Sequence, residues 1–304
     1  MFRRMCIVGL GLMGGAVGLA ARRTGAALRI CGVTDQAATI ERARLMGAVD
    51  EATLDIREGV READFVLLAV PVRLTPVVAQ SILPAIRPGT VITDVGSTKF
   101  QVVTAVEQLL AREKSPVHFV GSHPLAGSEK TGIESAPEVR LANATCILTP
   151  TPNTDNEAYH RVEEFWQTLE MKTMRLSPQE HDAVLARSSH LPHLLSFALV
   201  QAQSDRSMNL SGPGLRDMTR LAGSDVGLWT DIFAQNAEEL GRATRELGNE
   251  VLQLAAELEA LAAGGNGMES ARERLFRYLA DAHQRHEERF RKPPATTTVT
   301  PPPV

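Results

Sequence analysis

The sequence is poor in the features that mark several large protein classes. Its 304 residues include three cysteines, Cys6, Cys31 and Cys146. They are odd in number and widely spaced, and each lies in an apolar, strand-like stretch. That pattern reads as buried free thiols and argues against a disulfide framework or a cysteine-built metal site. A reducing, cytoplasmic compartment fits it. Long hydrophobic runs are also missing. The longest uninterrupted ones, such as Phe65 to Val70, hold about six residues, far short of a membrane span. The N-terminus runs straight into MCIVGLGLMGG, without the charged-then-apolar pattern of a secretion signal. Basic blocks are absent: 32 Lys and Arg stand against 36 Asp and Glu, for a formal charge of −4. Neither nucleic acid nor a membrane is therefore an expected partner.

What is present is an alternating first half. Short Val- and Ile-rich runs fall near 4–10, 28–34, 65–70, 90–95, 117–121 and 144–149, with helix-like stretches at 12–24, 36–46, 73–86 and 98–113 between them. Continuously apolar strands alternating with helices predict a parallel sheet covered on both faces. After Pro152 the texture changes. A helix is expected over about 154–170 and a short strand over 171–176, with helices from there on. Ser177-Pro178-Gln179-Glu180 is a helix start, with a capping Ser, Pro at the first position and Glu at the third. Leu240, Leu247, Val251, Leu254, Leu258 and Leu261 recur at spacings of 7, 4, 3, 4 and 3. This seam predicts a helix of about 35 residues, roughly 50 Å long. Gly264-Gly265-Asn266-Gly267 ends it, and a last helix is expected over 268–291. Two such apolar stripes are most easily buried by a second copy, so a homodimer is expected. The final stretch, 292–304, carries five prolines and no periodicity and reads as a disordered tail.

Gly9-Leu10-Gly11-Leu12-Met13-Gly14 follows an apolar strand and opens a helix. Asp35 follows 21 residues after Gly14, at the end of a second strand. In that context GxGxxG is a dinucleotide fingerprint. Residues 1–176 are thus expected to form a Rossmann-type NAD(P)-binding domain, and 177–291 an all-α substrate and dimerisation domain. Asp35 would accept from the ribose hydroxyls, which favours NAD, with NADP left open; the bland alternative is a solvated turn aspartate. GSHPLAGSEKTG, Gly121 to Gly132, sits at a strand end where ligands bind in such sheets. Its His123 is the one side chain titrating near neutrality, hence the candidate general base. Ser97, in the DVGSTK loop after the preceding strand, could orient that imidazole or bind a substrate hydroxyl. His190 and His193 share a helix face, but no third ligand accompanies them and no metal is expected. Pro192 between them should kink the helix. Arg216 and Arg220, four apart, would form a twin cationic clamp on one helix face, suited to a substrate with more than one carboxylate.

These residues resemble the prephenate/arogenate dehydrogenase family of tyrosine biosynthesis. GLGLMGG, LLAVPV, DVGSTK, GSHPLAGSEKTG, HDAVLARSSHLPH and LRDMTRLAGSDVGLW carry the resemblance, which spans residues 4–290. It implies oxidative decarboxylation: a cyclohexadienol loses a hydride from its C4 carbinol to NAD(P)⁺ and its ring carboxylate as CO₂. It implies His123 as the base and Ser97 as its hydrogen-bond partner. Arg220 would grip a carboxylate, with Arg216 and His193 nearby. His181, Trp229 and Glu129 match further pocket positions. The resemblance also implies that Gly9, Gly11, Leu12, Met13 and Gly14, with Asp35, Val70 and Pro71, border the cofactor. Two departures stand out. The family's usual acidic residue after the second strand aligns with Thr34, one place before Asp35. Pro213 interrupts the usual glycine run before the clamp helix. The chain ends in helix and tail, so no appended mutase or effector-binding module is expected. A beta-hydroxyacid dehydrogenase would need a catalytic lysine in the helical half, where none occurs before Lys292. A non-catalytic nucleotide-sensing dimer would not need His123, Ser97 and the paired arginines together.

Overall fold

The first strands are almost wholly apolar, and burial explains why. In the computed structural model, which describes residues 1–127 and 130–290, every residue of β1 (Met5–Val8), β2 (Ile30–Val33), β4 (Phe65–Leu68) and β5 (Val91–Asp94) is buried. Between them run α1 (Leu12–Thr24), α2 (Ala37–Leu45), β3 (Glu51–Thr53), α3 (Ile56–Val60) and α4 (Thr75–Ile82). Then come α5 (Phe100–Arg112), β6 (His118–Pro124), β7 (Thr145–Thr149), α6 (Asn156–Thr168) and β8 (Lys172–Arg175). Alternate residues serve opposite faces. Met5 and Ile7 join one core with Phe65, Phe165 and Trp166, whereas Cys6 and Val8 join another with Val66, Val106 and Phe119. All three cysteines are buried and free. The tail expected to be disordered, 292–304, lies outside the described residues.

The eight strands form one sheet in the order β3-β2-β1-β4-β5-β6-β7-β8. It is parallel except where β6 meets β7, with Gly121 opposite Thr149 and Pro124 opposite Cys146. The expected parallel sheet is thus present, with one antiparallel pairing added at β6–β7. A parallel return needs a crossover that carries the chain back to the other end. Among the described residues after β6, the regular structure before β7 is a 3₁₀ turn, Ile133–Glu138, which packs against Gly15 of α1. β7 therefore starts where β6 ends and runs back. β3 and α3 escape the apolar pattern because they are short and β3 is only half-buried.

Beyond β8 the chain is helical: α7 (Pro178–Leu185), α8 (Leu191–Gln201), α9 (Asp205–Asn209), α10 (Pro213–Thr219), α11 (Val226–Gln235), α12 (Ala237–Ala263) and α13 (Met268–Phe290). Ser177 and Glu180 close a reciprocal capping box at the start of α7. The kink expected at Pro192 is a π turn, Ala186–His190, joining α7 to α8, with Pro192 in the first turn of α8. Proline lacks an N–H and crowds the carbonyl four residues back, and a wider turn relieves both.

The expected 35-residue helix is corrected to 27 residues, roughly 40 Å. Asn236 breaks it from α11, with φ −119° and ψ 31°. The reason is tertiary. Asn236 is buried and donates its side-chain amide to the Asp182 carbonyl, 2.8 Å away.

The chain divides into two compact units, Met1–Ala243 and Thr244–Val304. In the second, Arg274 of α13 makes a bidentate pair with Glu257 of α12, both contacts 2.7 Å. Val251, Leu252, Leu258, Phe276 and Leu279 of these helices are exposed in the single chain.

Gly9 illustrates how tightly the carboxyl ends of the central strands are packed. Its φ is +100°, and a Cβ there would overlap the Ala69 carbonyl oxygen. Gly9→Ala is expected to destabilise the protein by about 2 kcal/mol or more through strain and overlap together. Urea unfolding midpoints of variant and parent check this; a difference below about 0.5 kcal/mol contradicts it.

Candidate active site

The carboxyl ends of β1, β2 and β4 meet at the glycine motif. Gly9 donates to Val33 O at 2.9 Å, and Ala69 N to Val8 O at 2.7 Å, which draws the three turns together. A Cβ on Gly14 would overlap the Gly9 carbonyl, so α1 packs against its own entry turn. Gly11 caps α1 without a side chain, and nothing of the protein lies within 4 Å of where a side chain there would begin. Leu12 and Met13 form the first turn, whose N–H groups are oriented for an anion. Val70 closes one side beside Gly9, and Pro71 precedes a 3₁₀ turn, Val72–Leu74. Thr34, nearly buried, spends its hydroxyl on Gln36 N, whereas Asp35 is exposed with no hydrogen-bond partner among the described residues. The open space at Gly11 and the free Asp35 carboxylate fit a dinucleotide.

Next to this crevice lies a buried polar network. Asp94, at the end of β5, pairs with Lys99, and both side chains are fully buried. Asp94 also accepts from Gly96 N at 2.9 Å and Ser122 N at 3.0 Å. Ser122 Oγ donates to Asp94 O and accepts from Trp166 Nε1 at 3.1 Å. The DVGSTK loop is thereby joined to the tip of β6, where His123 is the next residue.

His123 keeps 8% exposure. Its Nδ1 lies 2.9 Å from His181 Nε2, and His181 Nδ1 lies 2.8 Å from Asp182 Oδ1. The same carboxylate accepts from Lys99 N and Phe100 N, each at 2.8 Å, at the start of α5. His181 is fully buried with both ring nitrogens engaged, behind His123 rather than on an open surface. Ser97 is half-buried beside the His190 ring, but its hydroxyl is not bonded to His123; His181 holds that position. His190 Nδ1 lies 3.1 Å from Asn236 Nδ2, and His190 does not pair with His193. Among the described residues, no group of three or more His, Cys, Asp or Glu is placed to hold a metal ion.

The outer shell is more open. His193 stacks on Trp229, with centroids 3.4 Å apart and planes at 20°. Its Nδ1 donates to Ser189 O at 3.0 Å, and the Arg220 charge lies close enough to disfavour its protonation. The expected single helix face for Arg216 and Arg220 is corrected. α10, opened by Pro213, ends at Thr219, and Arg220 begins a 3₁₀ turn, Arg220–Gly223, anchored by Ala222 N to Ser196 Oγ at 3.0 Å. Both arginines are exposed, and neither pairs with a carboxylate among the described residues. Glu129 lies outside those residues. The sequence reading missed Asp182, Lys99 and Asn236. Asp182, adjacent to His181 in HDAVLARSSH, and Lys99, the last residue of DVGSTK, are the two that motif reading could have reached.

Burial sets the proton affinities here. It pushes His123 well below the usual 6.5, helped by repulsion from Lys99 and from the neighbouring ionisable rings of His181 and His190. Burial lowers His181 too, against the opposing pull of Asp182. It brings His190 to about 4 and lowers His193. All four rings are therefore neutral near pH 7.

The unfolded chain, with ordinary histidines, binds protons below about pH 6.5 that the folded protein refuses. Stability is thus full above that value and falls as pH drops toward the folded-state pKa values. For His190, the window from 6.5 to about 4 corresponds to a loss on the order of 3 kcal/mol. Urea midpoints measured from pH 7.5 to 4.5 should decline, and less steeply in His190→Gln. An identical slope in that variant would contradict the assignment.

Comparison with known proteins shows the family. A family model described as prephenate dehydrogenase, nucleotide-binding domain, matches residues 17–175, and one described as prephenate dehydrogenase, dimerization domain, matches 177–281. The chain is 36% identical to a prephenate dehydrogenase of Bacillus subtilis over 77% of its length and 64% of that protein's. It is 34% identical to a cyclohexadienyl dehydrogenase of Zymomonas mobilis over 79% of its length and 83% of that protein's. A crystal structure of prephenate dehydrogenase from A. aeolicus, in complex with hydroxyphenyl propionate and NAD⁺, superposes with a TM-score of 0.82 at 30% identity, covering 95% of this chain and 98% of that one. The chain belongs to the prephenate dehydrogenase family.

Proposed function

We propose that the protein catalyses the NAD-dependent oxidative decarboxylation of prephenate or arogenate, giving 4-hydroxyphenylpyruvate or tyrosine. The observation that carries this reading is His123: a buried, neutral imidazole at a strand end, one nitrogen fixed on His181 and Nε2 without a partner among the described residues. Such a nitrogen can accept the proton of the substrate's C4 hydroxyl. A nicotinamide cofactor held at the Gly9–Gly14 turn would supply the acceptor for the hydride from C4. Loss of the ring carboxylate as CO₂ leaves its electron pair in the new aromatic ring, and the proton on His123 can return to the phenolic oxygen. Aromatisation supplies the driving force. Ser97 is assigned to the substrate hydroxyl. Arg220, with Arg216, supplies charge-assisted bonds to the carboxylates, and His193 and Trp229 form the wall beside them. Glu129 is assigned to the pocket border on sequence grounds.

Gly9, Gly11, Leu12, Met13 and Gly14 would hold the pyrophosphate, with Val70 and Pro71 at its flank. Asp35 would accept from the ribose hydroxyls and repel a 2′-phosphate, which favours NAD over NADP. The helical segment that matches a dimerization model, with its exposed apolar residues on α12 and α13, supports a homodimer. A cytoplasmic location suits the free thiols and a helix set in which, among the described residues, none is long and apolar enough to cross a membrane.

Adding prephenate or arogenate to the protein with NAD⁺ or NADP⁺, and following reduced-nicotinamide absorbance, tests the reading directly. Turnover with NAD⁺ and at least one substrate is expected; none with either substrate and either cofactor overturns it. His123→Asn should lower kcat by roughly 10²–10⁴-fold with cofactor affinity nearly intact. Activity within threefold of the parent would remove His123 as the base. Arg220→Gln should raise the substrate KM by about tenfold or more, and a loss confined to kcat would contradict the clamp.

A further inference from the structure

We propose that Asp182 is a positioning residue for the oxidation. Through His181 it fixes the tautomer of His123, and through the start of α5 it ties that imidazole to the DVGSTK loop. This rests on the reading of His123 as the base.

The direction of each proton follows from the acceptor at the far end. A carboxylate offers lone pairs and no hydrogen. With Asp182 Oδ1 at 2.8 Å, the proton of neutral His181 must lie on Nδ1. His181 Nε2 then carries a lone pair, and the group 2.9 Å away, His123 Nδ1, must be the donor. His123 is left with its lone pair on Nε2. The reverse tautomer would set two lone pairs against each other at 2.9 Å and deny the base its free nitrogen. Neither histidine can make this choice alone, because each ring is symmetric in its capacity to donate or accept.

Asp182 is itself held at several points. Lys99 N and Phe100 N donate to its two oxygens, and its backbone carbonyl accepts from Asn236. It is 3% exposed, so these bonds are made away from water. The N-terminus of α5, 13 residues long, points at the carboxylate and favours its negative charge. One residue thus joins three places: its carboxylate holds the loop carrying Ser97 and the helix carrying His181, and its backbone carbonyl holds the break between α11 and α12. The charged and titratable groups around the relay are Lys99, Asp94 and His190. The first favours neutral imidazoles, and the second opposes it.

Asp182→Asn keeps the shape but cannot accept at both side-chain atoms. Ring ¹⁵N NMR of the protein without substrate or cofactor should show His123 and His181 each protonated at Nδ1 in the parent. In the variant, His123 should no longer hold a single tautomer. kcat should fall about 10²-fold or more, KM should stay within threefold, and the acid limb of kcat should move to lower pH, because a charge favouring the imidazolium is gone. Should Asp182→Asn fail to fold, His181 provides the second arm. His181→Gln can accept from His123 and donate to Asp182, and should keep activity within tenfold, whereas His181→Phe should lose 10²-fold or more. A folded Asp182→Asn with the parent's tautomers, kcat and acid limb, or a His181→Phe within threefold of the parent, overturns the proposal. A parent that oxidises neither substrate overturns the functional reading instead and leaves the tautomer result standing.

Discussion

The Lys99–Asp94 ion pair, sealed from solvent at the end of β5, is the constraint on which the rest of the site depends. Removing one partner of such a pair leaves an uncompensated buried charge, at a cost of about 3–5 kcal/mol. The surroundings therefore have to satisfy every remaining lone pair. Gly96 N and Ser122 N do so for Asp94, and Trp166 and Ser122 extend the arrangement to the opposite side of the sheet. The loop after β5 and the tip of β6 are consequently held in a single relation to each other. His123 inherits its position from that relation.

The same charge shapes the chemistry. A cation in the interior raises the cost of any second positive charge near it, so His123 and His181 are held neutral by Lys99 as well as by burial. A neutral ring is what a proton acceptor requires. The proposed carboxylate clamp follows the opposite logic. Arg216 and Arg220 stand exposed, where cations are cheaply solvated and free to meet an anion. The protein thus separates a buried, hydrogen-bonded interior with neutral imidazoles at the base from exposed cations farther out.

The sheet and its glycine turn were legible in the sequence because both are local. Four-residue apolar strands, GxGxxG at a strand–helix junction and the Ser177–Glu180 capping box each express themselves within a few residues. His123 was singled out for a related reason, as the one group titrating near neutrality in a stretch read as a loop after a strand, whereas the structure places it within β6 itself. The long helix was misjudged because no Gly or Pro stands immediately beside Asn236 to mark a stop. What breaks it is a hydrogen bond to Asp182, 54 residues away.

By itself, then, the sequence determined the fold class, the glycine turn and the family, and it singled out one histidine, His123, as a candidate. Only the tertiary structure decided what stands behind that histidine. His181 and Asp182 read in the chain as neighbouring polar residues on an ordinary helix turn. Packing α7 against the start of α5 turns them into the middle and end of a hydrogen-bonded relay. Periodicity records which face of a helix is apolar, but it carries no information about which distant group will meet a given polar atom. That pairing is set by how helices and strands pack, because a buried donor or acceptor must find its partner in whatever the packing brings within 3 Å.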